Sequence, residues 1–169
     1  MKFRIKPPKI PLHVVLVEPE IPQNTGAIAR LCAGTGSTLH LVGKLGFSTD
    51  EKAVRRAGLD YWHLVTVKEH PDLSTCLAEI GSVDPPLLFT TKSQHNYIQA
   101  PYRLGNALVF GKETKGLSPR IMEAYPNRQF SIPTVIDSVR SLNLANAVSI
   151  VVYEALRHTG ALDETAVES

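Results

Sequence analysis

Long hydrophobic runs, metal-ligand spacings and paired cysteines are all missing from this chain of 169 residues. No apolar stretch reaches the roughly 18 residues of a membrane span, and no apolar segment of a secretion signal follows the basic first residues. Its two cysteines, Cys32 and Cys76, lie outside any CxxC or cysteine–histidine pattern. This argues against structural zinc and suits a reducing compartment. We therefore expect a cytoplasmic protein with no metal and no membrane partner.

The motifs of several common enzyme classes are incomplete. Gly34–Gly36 begins like a dinucleotide fingerprint, but it follows a helical pattern, and Leu39 occupies the place of the third glycine. Gly111–Gly116 has the glycine spacing of a phosphate loop, but Leu117 replaces the required lysine. Neither HExxH nor G-x-S-x-G occurs. Dehydrogenase, kinase and hydrolase functions therefore lose their main support.

What the chain does contain is an alternation of strand and helix patterns. Apolar residues make up 43% and charged residues 20%, which suits one folded domain. The strand patterns are at residues 12–17, 38–42, 63–67, 86–90, 106–110 and 128–132, and the helical patterns at 24–33, 50–57, 72–80, 118–124 and 141–158. This order predicts a single α/β domain with a parallel sheet flanked by helices. We expect it at residues 12–159, after a basic N-terminal extension (1–11) and before an acidic flexible tail (160–169).

Three polar clusters follow strands in this pattern. They are Asn24–Arg30, Phe110–Leu117 and Ile132–Leu144. Parallel sheets bind ligands beyond the carboxyl ends of their strands, so the clusters are expected to converge at one edge. A net charge of +2 permits a local patch for nucleic acid without arguing for one.

The clusters resemble, in order and spacing, the three motifs of the SpoU branch of the SPOUT RNA 2′-O-methyltransferases. N-x-G-x-x-x-R corresponds to Asn24–Arg30, F-G-x-E-x-x-G-L to Phe110–Leu117, and I-P followed by R-S-L-N-L to Ile132–Leu144. The resemblance covers about residues 12–158. It implies an S-adenosylmethionine donor, a homodimer and a trefoil knot in the C-terminal part of the chain.

Further segments resemble the small branch of that family that methylates the wobble nucleotide of tRNA. They are Glu18–Gly26, Arg55–Tyr61 and Thr90–Lys92. This likeness implies 2′-O-methylation of the ribose of nucleotide 34, a cytidine or modified uridine, in tRNA. A methyltransferase acting on another tRNA or rRNA nucleotide is the alternative. A non-catalytic RNA-binding module would be favoured by loss of Arg30, Gly111 or Asn143, and all three are present.

The resemblance also implies roles for individual residues. The residues expected to bind the cofactor are Phe89, Thr90, Gly111, Glu113, Ile132, Ser141 and Leu142. Gly111 suits a close backbone approach, although a simple turn glycine is the alternative. Glu113 is expected either near the sulfonium or bracing its own loop, and Ile132 is otherwise a core residue at a strand end.

Arg30, Asn24 and Asn143 are the expected catalytic residues. Arg30 is expected to anchor a phosphate and orient the attacking hydroxyl, since a guanidinium stays protonated and is a poor base. Asn24 is expected to hold Arg30 or the loop of the first motif, with a simple helix cap as the alternative, and Asn143 to cap the last helix, orient the ribose, or both.

The last helical pattern has an unusually wide apolar surface. Its apolar residues include Val148, Val151, Val152, Ala155 and Leu156. They are too widely spread for one buried face. A second buried face suits either a dimer contact, which the family resemblance favours, or burial within one subunit.

Overall fold

The computed structural model describes residues 2–56 and 61–168. Six parallel strands form the central sheet in the order β4-β3-β2-β6-β5-β7. They are β2 (His13–Val17), β3 (Thr38–Val42), β4 (Val67–His70), β5 (Leu87–Phe89), β6 (Ala107–Phe110) and β7 (Gln129–Phe130). A separate antiparallel ribbon pairs β1 (Lys2–Ile5) with β8 (Thr165–Glu168).

Helices cover both faces of the sheet. They are α1 (Pro22–Thr35), α2 (Glu51–Arg56), α3 (Leu73–Ile80), α4 (Pro119–Ala124) and α5 (Leu144–His158). Because successive strand residues point to opposite faces, Val14 and Leu16 pack with α1 and α5, whereas Val15 packs with α3 and α4. The predicted parallel sheet flanked by helices is confirmed. No helix in the described residues is long and apolar enough to cross a membrane.

The third strand does not lie where the sequence pattern predicts it. Residues 62–64 form a 3₁₀ turn, and β4 begins only at Val67. Pairing with β3 decides this, because Leu39 lies opposite Val67 and Val42 opposite His70. The prediction of a strand over 63–67 is therefore wrong by about one strand length.

Two helix starts also differ by two or three residues from the predicted positions. α1 begins at Pro22 with Ile21 as its N-cap, so Asn24 lies within the first turn and the prediction that it caps the helix is wrong. α5 begins at Leu144 after Asn143, so Ser141 and Leu142 belong to the preceding loop. The predicted helix over 50–57 is found as α2, with residue 57 outside the described range.

The two chain ends pair with each other, although the C-terminal tail was predicted to be flexible. Lys2 lies opposite Glu168 and Ile5 opposite Thr165, so residues 165–168 are a strand rather than a free tail. Ile5 also packs against the core. The division of the chain at residues 12 and 159 stays a prediction.

The five apolar residues of the last helix from which a second buried face was inferred are all buried within one protomer. Val148, Val151, Val152, Ala155 and Leu156 are each completely inaccessible. α5 packs between the sheet and α1, which gives it two buried faces without a partner chain. The inference of a dimer contact from this apolar surface is therefore wrong, although it does not exclude a dimer formed elsewhere.

Candidate active site

Loops at the carboxyl edge of the sheet enclose a cavity of about 750 Å³. They follow β5, β6 and β7 and are joined by the starts of α1 and α5. This volume lies within the range of small-molecule sites, roughly 300–1,000 Å³. The three sequence clusters thus meet at one place, as the strand order predicts.

All of the residues expected to bind a cofactor line this cavity. They are Phe89, Thr90, Gly111, Glu113, Ile132, Ser141 and Leu142. Two of the three residues expected to be catalytic, Asn24 and Asn143, also line it. The shared location agrees with the assigned roles without testing them.

Aromatic stacking and backbone pairing fix the floor of the cavity. The rings of Phe89 and Phe110, at the ends of β5 and β6, stack with centroids 5.1 Å apart. The Thr90 N–H donates to the Phe130 carbonyl at 2.9 Å, which keeps the loop after β5 beside the loop after β7. The ends of β5, β6 and β7 therefore hold in place the loops that line the cavity.

Gly111 is required by the shape of its own loop. A Cβ at this position would overlap the backbone of Gly116 and Leu117, which folds back against it. The close approach that Gly111 permits is therefore between two segments of its own loop. Even alanine would force this loop to move.

Glu113 braces the start of α1. Its carboxylate accepts from the N–H groups of Glu20 at 2.8 Å and Ile21 at 3.0 Å, and from Asn24 Nδ2 at 3.4 Å. Hydrogen bonds to an ionised acceptor are stronger than neutral ones. Glu113 therefore braces the segment that leads into α1 rather than its own loop, and the predicted position near the sulfonium stays a prediction.

Asn24 and Asn143 join the first and third clusters. Asn143 Nδ2 donates to Asn24 Oδ1 at 3.0 Å, across 119 residues of chain. Asn143 Oδ1 accepts from the N–H groups of Ala145 and Asn146, so its predicted capping of the last helix is confirmed. Both atoms of the Asn24 amide are occupied, which fixes its orientation at a position only 8% exposed.

Arg30 lies outside the described lining of the cavity. It is exposed on α1, six residues or about 9 Å of helix axis beyond Asn24. Its guanidinium carbon is 4.7 Å from the centroid of the Tyr61 ring, a cation–π contact. Asn24 bonds to Glu113 and Asn143, so the expectation that it holds Arg30 is not met.

Sequence reasoning assigned no role to several basic residues at the cavity. Lys92, Lys112, Lys115 and Arg140 all line it. Lys112 pairs with Glu18 at 3.4 Å. Arg140 is part of the third motif, and Lys92 follows the expected cofactor residue Thr90, so both positions were visible in the motifs. Their charge makes the cavity rim suitable for an anionic ligand such as RNA phosphate.

Curated relatives match almost the whole chain. The tRNA (cytidine(34)-2′-O)-methyltransferase of Yersinia pestis is 49% identical over 154 residues, covering 88% of this chain and 94% of that protein. The enzyme of the same name from Escherichia coli K12 is 49% identical over 152 residues, with the same coverage of both chains.

Solved structures share the fold. A candidate RNA methyltransferase from Bacillus anthracis gives a TM-score of 0.82 at 40% identity, covering 89% of this chain and 95% of that one. A structure concerned with 2-OH methylation of C/U34 on tRNA gives 0.76 at 37% identity, covering 88% and 95%. The methyltransferase AviRb from Streptomyces viridochromogenes, in complex with the cofactor AdoMet, gives 0.73 at 25% identity, covering 91% and 62%.

The family assignment agrees with the motifs, the sheet and the cavity. Residues 11–153 match the SpoU rRNA methylase family, a span that includes all three clusters and every strand of the central sheet. This chain therefore belongs to the SpoU methylase family.

Proposed function

We propose that this protein methylates the 2′-hydroxyl of the wobble nucleotide 34, a cytidine or modified uridine, in tRNA, with S-adenosylmethionine as donor. One observation carries the proposal: three motifs from distant parts of the chain meet around one cavity and are linked through Asn24. The position within tRNA rests on the names of relatives that are nearly half identical over most of the chain.

The cavity fits S-adenosylmethionine in size and chemistry. Its wall combines the Phe89 ring and the Ile132 and Leu142 side chains with backbone groups of the loops. Apolar side chains suit an adenine face, and main-chain donors and acceptors suit its edge. Bound there, the donor supplies an electrophilic methyl group on a sulfonium. We expect this binding to need no metal ion.

Arg30 is the residue we assign to substrate orientation. Its guanidinium is exposed and permanently charged, so it can hold a phosphate through paired hydrogen bonds. Holding the phosphate next to the reacting ribose would aim the 2′-hydroxyl and supply a nearby oxygen for its proton. The Tyr61 ring contacts this guanidinium at the surface.

Asn24 and Asn143 are assigned to the same reaction as orienting residues. Their mutual hydrogen bond connects the start of α1, which carries Arg30, to the start of α5. The bond from Asn24 to Glu113 extends this link to the loop after β6. A network of this kind would hold the methyl donor and the attacking hydroxyl in a fixed relative position.

We further propose a homodimer, a trefoil knot and a cytoplasmic location. The dimer rests on the family resemblance and on Val135, Ile136 and Val139, which are exposed in the loop between β7 and α5. The knot is supported by the meeting of loops 89–92, 111–117 and 131–143 around one cavity. The location follows from the proposed substrate, tRNA.

Mapping 2′-O-methyl marks on cellular tRNA, with and without the gene, tests the proposal. We expect loss of the mark at position 34 alone, and its return when the gene is restored but not when an Arg30→Ala copy is supplied. Loss of a mark at another tRNA or rRNA nucleotide would establish the alternative substrate. Unchanged marks everywhere would contradict the proposal.

A further inference from the structure

Three histidines form a row across one face of the sheet. His13, His40 and His70 lie on neighbouring strands β2, β3 and β4, each two positions further along than the last. His13 Nδ1 lies 2.9 Å from His40 Nε2, and His40 Nδ1 lies 2.9 Å from His70 Nε2. His40 and His70 are almost inaccessible, with 1% and 6% of their surfaces exposed. A row of buried polar side chains is uncommon in a protein core and suggests a specific role.

Cys76 lies close to His40 and His70. It lies on α3, which covers this face of the sheet, and it is completely buried. His40, His70 and Cys76 each have one ligand-capable atom within 4.8 Å of those of the other two. Two imidazoles and a thiol at this spacing form a donor set that suits borderline and soft cations.

The outer ring nitrogens of both histidines already have acceptors. His70 Nδ1 lies 3.2 Å from Glu79 Oε2, and His40 Nε2 faces His13 Nδ1. Lys68 holds the same Glu79 carboxylate at 2.9 Å. Histidines that bind metals typically donate their other ring N–H to a carboxylate or similar acceptor, which fixes the tautomer. Here that outer layer is present for both rings, and it leaves His40 Nδ1 and His70 Nε2 facing each other.

We propose that His40 Nδ1, His70 Nε2 and Cys76 Sγ form a binding site for a zinc ion. These three residues come from β3, β4 and α3, so the ion would tie the edge strand of the sheet to its covering helix. Three protein ligands leave a fourth position for water. None of the three lines the methyl-transfer cavity, so binding of S-adenosylmethionine would remain independent of the metal.

Charge and proton balance permit this ligation. A ligating imidazole is neutral, so His40 Nδ1 and His70 Nε2 would each offer a lone pair to the ion. Zinc must displace the proton of the Cys76 thiol to solvent as the S–Zn bond forms. His40 then donates through Nε2 to His13, and His70 through Nδ1 to Glu79. The thiolate balances one of the two charges of the ion, and the Glu79 carboxylate, which Lys68 also holds, supports it through His70 Nδ1.

Metal titration of the tag-free full-length protein tests the site. After treatment with a chelator, the protein should bind one equivalent of Zn²⁺. At a free concentration about 100 times the dissociation constant, zinc should shift the folding equilibrium about 100-fold toward the folded state. With Co²⁺ as the probe, the protein should show the absorption band of thiolate-to-cobalt charge transfer.

Two cysteine variants make a matched pair. Cys76→Ala should lose the cobalt band and the stabilisation by zinc. Cys32→Ala removes the other buried cysteine, which packs in the core on the opposite face, and should retain both. Glu79→Gln, at a half-exposed side chain, should weaken zinc binding about 10- to 100-fold.

The unaltered protein decides the question even if Cys76→Ala does not fold. One equivalent of zinc together with a charge-transfer band of cobalt supports the site. Absence of saturable binding, or a cobalt complex without that band, would overturn it. Retention of the band in Cys76→Ala would likewise overturn the assignment of Cys76.

Discussion

At the carboxyl edge of β5, β6 and β7, polar groups face open space. Along β2, β3 and β4, polar groups are buried and satisfy one another. In the first region Glu113, Asn24 and Asn143 fasten three loops together around a cavity of about 750 Å³. In the second, His13, His40 and His70 bond in a closed row beneath α3. The open region can exchange ligands such as a cofactor and RNA, whereas the closed one can retain at most an ion.

The largest expected effect is from Gly111→Ala in the open region. The new methyl group would overlap the backbone of residues 116–117, so the loop must move and both cofactor binding and methylation should be lost. Gly34→Ala is the control. Gly34 lies in α1 with no atom within 4 Å of a built Cβ, so alanine should stabilise the protein by about 0.5–1 kcal/mol.

Calorimetric titration with S-adenosylmethionine and thermal unfolding check this pair. Binding of the donor by Gly111→Ala at the unaltered affinity would show that the loop is not part of its site. The substitution acts on the loop itself, because the added methyl group meets the backbone of residues 116–117 rather than the open cavity.

Arg30→Ala should separate binding from reaction at the same edge. We expect unchanged affinity for S-adenosylmethionine, because the side chain lies outside the described lining of the cavity. Single-turnover methylation should fall about 100-fold, the loss typical of a misplaced reactant. Arg30→Lys should recover little, since lysine lacks the paired donors. Full activity of Arg30→Ala at saturating tRNA would remove Arg30 from the reaction and direct attention to Asn143 and Ser141.

His40→Ala should have the opposite profile in the closed region. It leaves His13 Nδ1 and His70 Nε2 without their partner and opens a cavity, which should cost about 3 kcal/mol of stability. Methylation per folded molecule should stay unchanged. Urea unfolding in the presence of a chelator measures the first quantity and assays well below the unfolding midpoint the second. A loss of activity larger than the loss of folded protein would mean that the two regions are coupled.

The proposed dimer would cover part of the open edge, so Ile136→Asp should weaken it. Ile136 is 87% exposed in the protomer and lies in the loop between β7 and α5, of which Thr134 and Arg140 line the cavity. A carboxylate placed in an apolar contact should raise the dimer dissociation constant about tenfold or more. Val83→Asp, at a fully exposed loop position, serves as the control. Sedimentation of the unaltered protein as a stable monomer would contradict the dimer itself.

The smallest expected effect is a pH dependence at the start of α3, the helix that covers the closed row. Asp72 accepts from the Thr75 N–H at 2.7 Å, and this hydrogen bond lowers the pKa of its carboxyl. The stabilisation is present above the ordinary carboxyl range and is lost as pH falls through the lowered pKa. Asp72→Asn keeps a capping side chain, so its unfolding midpoint should change less between pH 6 and acidic conditions of about pH 3. Equal acid sensitivity of the two proteins would assign the effect to other groups.

Sequence patterns predicted the open region well because each of its polar clusters is a short continuous segment of sequence. Each cluster directly follows a strand, so the topology of a parallel sheet brings the clusters together. The sequence could not predict individual contacts, such as the hydrogen bond between Asn24 and Asn143 across 119 residues. The stacking of Arg30 on Tyr61 also depends on how distant segments pack.

Patterns failed where one signal permits two structures. Wide apolar spacing in α5 suits either a dimer contact or burial on two sides, and packing against α1 and the sheet decides for the second. The run at 63–67 suits a strand, but pairing with β3 selects Val67–His70. The members of the histidine row are 27 and 30 residues apart, a spacing that no local metal motif contains.

The most direct test of the central claim uses two tRNAs that differ by one oxygen atom. One contains cytidine at position 34, and the other contains 2′-deoxycytidine there. With purified protein and S-adenosylmethionine carrying a labelled methyl group, the account predicts one methyl group per molecule of the first tRNA and none on the second. Equal labelling of both tRNAs, or labelling of neither, would contradict the assignment of the 2′-hydroxyl of nucleotide 34 as the methyl acceptor.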